Sequence, residues 1–564
     1  MGRLDPLIPR THIAYFSMDI ALAPEMHTYS GGLGVLAGDT ARSCADLEMP
    51  VVFVTLISRA GYLRQEIDAA GRHIDAPDPW QPEQWAEPLG AKIAVRIERR
   101  EVWVRPWLYL LSGGTGFLVP VLLLDTDLDE NAAADRRLTD RLYIGDDAYR
   151  LKQEIVLGIG GFRLLRALGL EIHTYHLNEG HSALLTLELL RRQRWRPELV
   201  RPGDCVYDTQ EVRERCVFTT HTPVEAGHDR FSYELVERVL DDVIELDQLK
   251  MLAGEDCLNL TRLALNLSRH INGVARRHAE TAHRMFPGFR VRAITNGVHG
   301  PTWTCPSFAR LYHANFPHWQ HEPEVLVRAD QLDDDAVWDA HVAAKRQLLE
   351  RVEQLCGVRL SPELPLLGFR PPDDRLQAPA AAVRRSRAAA PDRAPLAVPG
   401  GHGKAHPQDG EGKRLIERLH GHIRELAGTV PAAYLPNYDM TLARDMVAGV
   451  DLWLNTPLPP LEASGTSGMK AAFNGVLNFS VLDGWWIEAW IEGRTGWAIG
   501  AGQTAGHEQD ALELYDKLEH VILPLYHGDR AGWIWMMKEA ISKIAYCFNS
   551  QRMMRRYASE AYIR

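Results

Sequence analysis

The stretch LEASGTSGMKAAFNGVLNFSVLD, residues 461–483, decides how this chain is read. Ser464, Gly465, Thr466, Ser467 and Gly468 form one run of small, turn-forming residues, and residues 469–474 read as the first turns of a helix. Such a loop leaves backbone N–H groups to point at a phosphate or sulfate, and the helix dipole favours that anion. Lys470 sits inside the turn. A lysine beside an anion cradle either pairs with the anion or carries a carbonyl cofactor as a Schiff base. The plain alternative is a Ser/Thr-capped helix with a solvated lysine.

The longer string separates these readings. E-A-S-G-T-x-x-M-K, followed by N-G-x-L and L-D-G, resembles the pyridoxal-phosphate segment of the α-glucan phosphorylases, of the short prokaryotic type. The resemblance implies that Lys470 holds pyridoxal 5'-phosphate, and that Thr466 and Gly468 lie at the cofactor's phosphate. It also implies that Glu462, Ala463, Ser464 and Gly465 meet sugar hydroxyls.

A chain of 564 residues is too long for one core, so two or three domains are expected. With 46% hydrophobic and 24% charged residues it reads as soluble and globular. A net charge of -11 argues against nucleic acid or an anionic membrane as the main partner. A neutral sugar polymer leaves no charge signature. The seven cysteines are scattered, odd in number and without a CxxC pair, so neither a disulfide framework nor a zinc site is expected, and a reducing cytoplasm fits. The N-terminus has no basic-then-apolar signal pattern, and the apolar runs are too short to span a membrane.

Residues 13–16 read as a strand, leading into Tyr29-Ser-Gly-Gly-Leu-Gly and a helix from Val35 onward. Three glycines in four residues let a backbone approach a ligand, although an ordinary strand–helix turn uses them too. Residues 51–56, 93–97, 118–124, 174–177 and 217–219 read as further strands, and strand alternating with helix indicates a parallel α/β sheet. Two of them end in polar residues, Asn178-Glu-Gly-His181 and Thr220-His-Thr-Pro223. The carboxyl end of such a strand is where open α/β sheets bind ligands, while Asn178 or Glu179 acting only as a helix cap is the plainer reading. The helix over residues 149–161 reads as core.

Carried onto these positions, the resemblance implies that Gly31, Leu33 and Gly34 face the sugar phosphate and Gly32 the cofactor. Asn178, Glu179, His181 and Asn296 become substrate contacts, and His221 a catalytic contact to the glucosyl unit. Trp303 and Tyr438 pack near the cofactor ring, and Lys404 neighbours a phosphate. The fold implied is α/β, two Rossmann-like domains facing across a cleft in the GT-B manner. The expected division is an N-terminal glucan-binding domain over 1–303, a C-terminal pyridoxal-phosphate domain over 304–545, and a final helix over 546–564. The function implied is phosphorolysis of α-1,4-glucan by inorganic phosphate, giving α-glucose 1-phosphate with retained configuration; a homo-oligomer is compatible with this. The alternatives are a nucleotide-sugar glucan synthase of the same architecture and a catalytically silent glucan-binding protein.

Residues 370–401, RPPDDRLQAPAAAVRRSRAAAPDRAPLAVPGG, break the pattern. They are Arg, Ala and Pro with almost no apolar periodicity, the composition of a linker, placed where the second sheet needs a βαβ crossover. One coding of residues 369–379, shifted by a nucleotide, reads Phe-Ala-Arg-Arg-Met-Thr-Gly-Tyr-Lys-Arg-Pro. That string resembles the family segment whose arginine and lysine hold the two phosphates. The expectation is that residues 370–401 are read out of frame and that the silent alternative gains from it.

Overall fold

The computed structural model describes residues 2–201, 203–240, 244–369, 398–400, 404–426, 430–500 and 507–563. The chain divides into two compact units. The first comprises Met1–Tyr62, Pro77–Thr295 and Met553–Arg564, and the second Leu63–Ala76 and Asn296–Arg552. Asn296 and Trp303 therefore belong with Lys470. No helix among the described residues is long and apolar enough to cross a membrane, and the seven cysteines are free thiols. Among the described residues no His/Cys/Asp/Glu group is arranged to hold a metal ion.

The first unit is built on a sheet of ten strands among the described residues. In chain order they are β1 (Ile13–Phe16), β2 (Val51–Leu56), β3 (Glu87–Pro88), β4 (Ile93–Ile97), β5 (Arg100–Ser112), β6 (Leu118–Asp125), β7 (Thr174–Asn178), β8 (Cys216–Thr219), β9 (His270–Gly273) and β10 (Arg292–Ala293). The spatial order is β10-β9-β8-β7-β1-β2-β6-β5-β3, with β4 also paired to β5. From β10 to β6 every pairing is parallel, and β5 turns the edge antiparallel. The central strands are continuous apolar runs because both faces are covered. Ala14, Phe16, Val52 and Val54 fall in one buried cluster, and Ile13, Tyr15, Val51 and Phe53 in another. Alternate residues thus serve opposite faces, as the pleat requires. Met553, Met554, Tyr557 and Tyr562 pack into the second cluster. The ring of His176 on β7 bonds Tyr562 Oη at 2.6 Å and Thr219 Oγ1 at 2.9 Å, which ties the last residues to this sheet.

Helix α1 (Gly32–Asp46) starts three residues before the expected Val35. The glycines of the loop are its cap and first turn: Gly31 is the N-cap, and Val35 N donates to Gly31 O at 3.2 Å. The helix expected as core over 149–161 begins as α2 (Asp147–Ile155) and continues in wider turns. Its apolar face is buried, but it also carries Arg150 and Glu154 to a polar cluster described below.

The second unit holds a six-stranded parallel sheet among the described residues, ordered β13-β12-β11-β14-β15-β16. These are β11 (Leu367–Phe369), β12 (Val398–Gly400), β13 (Ala432–Tyr434), β14 (Leu452–Asn455), β15 (Leu477–Val481) and β16 (Gly496–Ile499). Residues 370–397 and 401–403, most of the anomalous segment, lie outside the described residues. Strand β12 is its one described part, an interior strand of three residues containing a proline and a glycine. Pro399 has no N–H to give to a ladder, and such residues belong at sheet edges rather than in the interior.

Helix α3 (Asp334–Cys356) is pinned to this sheet by a buried ion pair. Asp451, just before β14, accepts from Lys345 Nζ at 2.7 Å, His341 Nε2 at 2.8 Å and the backbone N–H of Leu366 at 2.7 Å. Burial pushes the Asp451 carboxyl up, but Lys345 and His341 outweigh it and hold it below its ordinary value. Lys345 is completed by Leu364 O and Tyr526 Oη. Removing one partner of such a pair strands a buried charge. Asp451→Ala is expected to cost about 3–5 kcal/mol in urea unfolding of this unit followed by tryptophan fluorescence. Replacing both charges (Lys345→Met with Asp451→Leu) should cost less than Asp451→Ala alone.

Candidate active site

In the first unit the predicted residues gather at the carboxyl ends of β1, β7 and β8. Leu177 pairs with Phe16, and Asn178 with Thr219, so the residues that follow emerge side by side. His221 Nε2 donates to Asn178 Oδ1 at 2.7 Å, and His221 N donates to Glu179 Oε2 at 2.6 Å. Thr222 Oγ1 donates to the same oxygen at 3.2 Å. Glu179 also caps the turn it begins, accepting from its own neighbour Gly180 N at 3.3 Å, so the capping role read in the sequence and the place at the strand end coexist. Its φ of 70° lies in the left-handed region, a strained conformation for a glutamate.

Asn178 and Glu179 are buried and His221 is half-buried, and loss of water dominates the ionisation of the titratable groups here. It pushes the Glu179 carboxyl up to about 7 against the bonds from His221 N and Thr222. It depresses His221 to about 3, aided by repulsion from His278 and His181. His181 is depressed by burial to about 4, against the pull of Asp229. Its Nε2 lies 3.2 Å from Arg150 Nη2, which bonds Asp229 Oδ2 at 3.0 Å. Glu154, buried beside this pair, is raised well above the ordinary carboxyl range by burial and then by Asp229.

At the glycine loop, an added Cβ on Gly31 or Gly32 would meet no atom within 4 Å, so these two residues border open space. Gly34 is different: a Cβ there would strike the Asp19 carboxyl and the Tyr29 side chain, so its glycine is a packing requirement. Asp19 accepts from Tyr143 Oη at 3.0 Å and Ser30 N at 3.3 Å, and burial raises it to about 6. A protein carboxylate thus occupies part of the turn that the sequence offered to a phosphate.

In the second unit, helix α4 (Ser467–Ala472) carries Lys470. It starts at Ser467 and ends before Asn474, two residues earlier at each end than expected. Gly468 is pressed so close to β15 that a Cβ would collide with Asn478 Oδ1 and the Trp485 ring. The Asn474 side chain is used as a strap instead. Its Nδ2 donates to Lys470 O at 3.1 Å and Trp303 O at 2.9 Å, and its Oδ1 accepts from Cys305 N at 2.8 Å. The strap sets Trp303 beside the lysine, with Lys470 Nζ 4.0 Å from the centre of the Trp303 ring. The preceding loop is fastened from the other side. Asp483 Oδ2 accepts from Glu462 N at 2.9 Å, and Trp485 N donates to Ser464 O at 2.8 Å. Gly465 takes φ 77°, which glycine adopts without strain, and Ser464 Oγ is buried without a hydrogen-bond partner among the described residues. Asn296 Oδ1 is another buried acceptor without a partner among the described residues. Lys404 Nζ donates to Leu63 O at 2.7 Å. Tyr438 and Thr466 lie between strand ends and helix starts, at the edge where parallel sheets bind ligands.

The carbohydrate phosphorylase family model matches residues 405–505, the region containing Lys470 and its loop. The maltodextrin phosphorylase of Thermococcus litoralis is 35% identical over 98% of this chain and 70% of its own length. The glycogen phosphorylase of Mycobacterium bovis is 34% identical over 98% of this chain and 71% of its own. That of Aquifex aeolicus is 32% identical over 98% and 86%. The chain belongs to the carbohydrate phosphorylases. Its mixed α/β units with large parallel sheets are consistent with this family.

Sequence reasoning missed Ser17, Asp19, Tyr143, Arg150 and Asp229 in the first unit, and the straps Asn474 and Asp483 in the second. Arg150 stood in a helix with a clean apolar face, and nothing in its spacing singled it out. Asn474 and Asp483 did stand in the quoted string, so position there was the one available signal.

The depressed histidine has a measurable consequence. In the unfolded chain His221 takes a proton near pH 6.5, and in the folded chain only near 3. Its contribution to stability is complete above 6.5 and is lost as pH falls between those values. One proton changes stability by about 1.4 kcal/mol per pH unit. Unfolding free energies of the wild type and His221→Gln should differ little in slope above pH 7 and by close to that amount between pH 6 and 4, with the variant flatter. Equal slopes would mean that the folded ring takes up the proton.

Proposed function

We propose that this chain is an α-1,4-glucan phosphorylase that releases α-glucose 1-phosphate from the end of a glycogen or maltodextrin chain, with retention. The observation that carries the reading is Lys470, 8% exposed, set against the face of Trp303 beside a loop with a buried, unpartnered Ser464 hydroxyl. A lysine packed on an aromatic face, after a loop of small residues, suits a flat carbonyl cofactor with an anionic group. The residues present therefore fit pyridoxal phosphate better than the nucleotide sugar of a synthase, which needs no such lysine.

In this reading Lys470 holds the cofactor covalently, Thr466 and Gly468 meet its phosphate, and Trp303 and Tyr438 pack beside its ring, with Gly32 a further contact. When bound, the cofactor supplies through its phosphate the proton role of the reaction. The chain's own residues do the rest. Glu462, Ala463, Ser464, Gly465 and Asn296 grip the glucosyl unit, with His221, Glu179, His181, Gly31, Leu33 and Gly34 from the first unit, and Asn178 stands behind His221. Lys404 brings a positive charge towards the phosphates. Aimed donors of this kind stabilise charge that develops in the transition state. The unit built on β1–β10 is the glucan-binding domain and the unit carrying Lys470 the cofactor domain. With this comes the GT-B type of fold for the two units.

Glucose 1-phosphate release from maltodextrin and phosphate, assayed with added pyridoxal phosphate on the chain whose residues 370–401 are replaced by the shifted reading, tests the reading. Borohydride reduction followed by peptide mass analysis should place one cofactor on the peptide containing Lys470. A label on another lysine would refute the assignment.

One observation favours the silent alternative for the chain as it stands: the Val-Pro-Gly interior strand β12 at the end of the anomalous segment. Two phosphates brought together repel strongly and need fixed arginine and lysine charges. The arginines of residues 370–401 stand among Pro and Ala without strand or helix periodicity. The unaltered chain is expected to release little glucose 1-phosphate. Replacing residues 370–401 by the shifted reading should restore at least tenfold more activity. Robust turnover by the unaltered chain would show that other cations serve the phosphates.

A further inference from the structure

Three side chains at the carboxyl ends of β1, β7 and β8 form a chain of hydrogen bonds whose direction is forced. Ser17 Oγ lies 2.7 Å from the backbone carbonyl of Asp19. A carbonyl only accepts, so the single hydroxyl hydrogen of Ser17 is spent there. Towards Asn178, 3.0 Å away, Ser17 Oγ is left only as an acceptor. The Asn178 amide must therefore turn its Nδ2 to Ser17, which leaves Oδ1 facing His221 Nε2 at 2.7 Å. An amide oxygen also only accepts, so Nε2 carries the hydrogen. Ser17 and Asn178 are 1% and 0% exposed, so water does not compete for the bond between them, and His221 is half-buried. Among the described residues, nothing bonds His221 Nδ1.

We infer that Ser17 and Asn178 are positioning residues that hold His221 as its Nε2–H tautomer, so that Nδ1 is a fixed acceptor selecting a ligand with a hydrogen to donate. Asn178 then acts through His221 instead of gripping the ligand itself. The charged and titratable groups around the ring are Glu179, which takes the His221 backbone N–H, and His181 and His278, which repel a second proton on the imidazole. The glucan phosphorylase reading is used only to name the donor, a sugar hydroxyl. The tautomer stands without it.

The test is nitrogen NMR of the full chain labelled with 15N-histidine, with the His221 signals identified by their loss in His221→Gln. At pH 7 the wild type should show a protonated Nε2 and a bare Nδ1. Ser17→Ala frees the amide to rotate and should shift both signals towards a mixture of tautomers, and Ser17→Thr should restore the wild-type pattern. Asn178→Asp keeps the acceptor but adds charge, and should leave both nitrogens protonated. A merely structural Ser17 would lower the melting temperature of Ser17→Ala without moving the tautomer, which would overturn its role. If Ser17→Ala does not fold, the wild type and Asn178→Asp decide. A protonated Nδ1 in the wild type overturns the inference outright. Absence of glucose 1-phosphate release by the chain carrying the shifted reading of residues 370–401, alongside a bare Nδ1 in the wild type, would count against the proposed function alone.

Discussion

Parallel strands that pair in register deliver their next residues to one place, and the first unit's candidate site depends on that constraint. β1, β7 and β8 lie side by side, with Leu177 opposite Phe16 and Asn178 opposite Thr219. Backbone hydrogen bonds set this register before any catalytic side chain is considered. Ser17, Asn178, Glu179 and His221 then stand within bonding distance although 204 positions separate the first from the last. A slip of one residue would turn each strand's side chains to the other face and scatter the group.

The second unit solves a different problem. Its lysine sits on a helix of six residues, too short to be stable by itself. Tertiary contacts hold it: Gly468 against β15 below, the Asn474 amide across to Trp303 and Cys305, and Asp483 and Trp485 clasping the loop before it. Behind the sheet, the Asp451 carboxylate joins α3 to β11 and β14. A side chain that must present one atom at one place is held best when its supports come from several directions.

Both units place titratable groups where water cannot stabilise their charge. In the first, burial keeps His181 and His221 neutral and lifts Asp19 and Glu179. A neutral histidine and a poorly solvated carboxyl are suited to specific hydrogen bonding with uncharged hydroxyls. That matches a sugar better than a charged ligand, and perturbed groups gathered at strand ends are what a binding site requires. The buried Lys345–Asp451 pair in the second unit is different in kind, since each charge there has its partners and the pair fastens α3 to the sheet.

Much of this was legible in the residues. The alternation of apolar strands with helices announced parallel sheets, and the string from Glu462 to Lys470 announced the family. His221 and Asn178 stood out because polar residues at the end of an apolar strand need a reason. Helix starts were read two or three residues late at α1 and α4, because glycines inside a first turn look like loop. The sequence by itself determined which residues could take part: apolar periodicity is written locally, and a rare nine-residue string is specific without coordinates. Only the tertiary structure decided that Asn178 faces His221, that Asn474 brings Trp303 to Lys470, and that Arg150 belongs with His181 rather than in a plain core helix. Those pairings join residues 31 to 171 positions apart, and at such distances hydrogen bonds are set by strand register and packing, which leave no periodic trace in the chain.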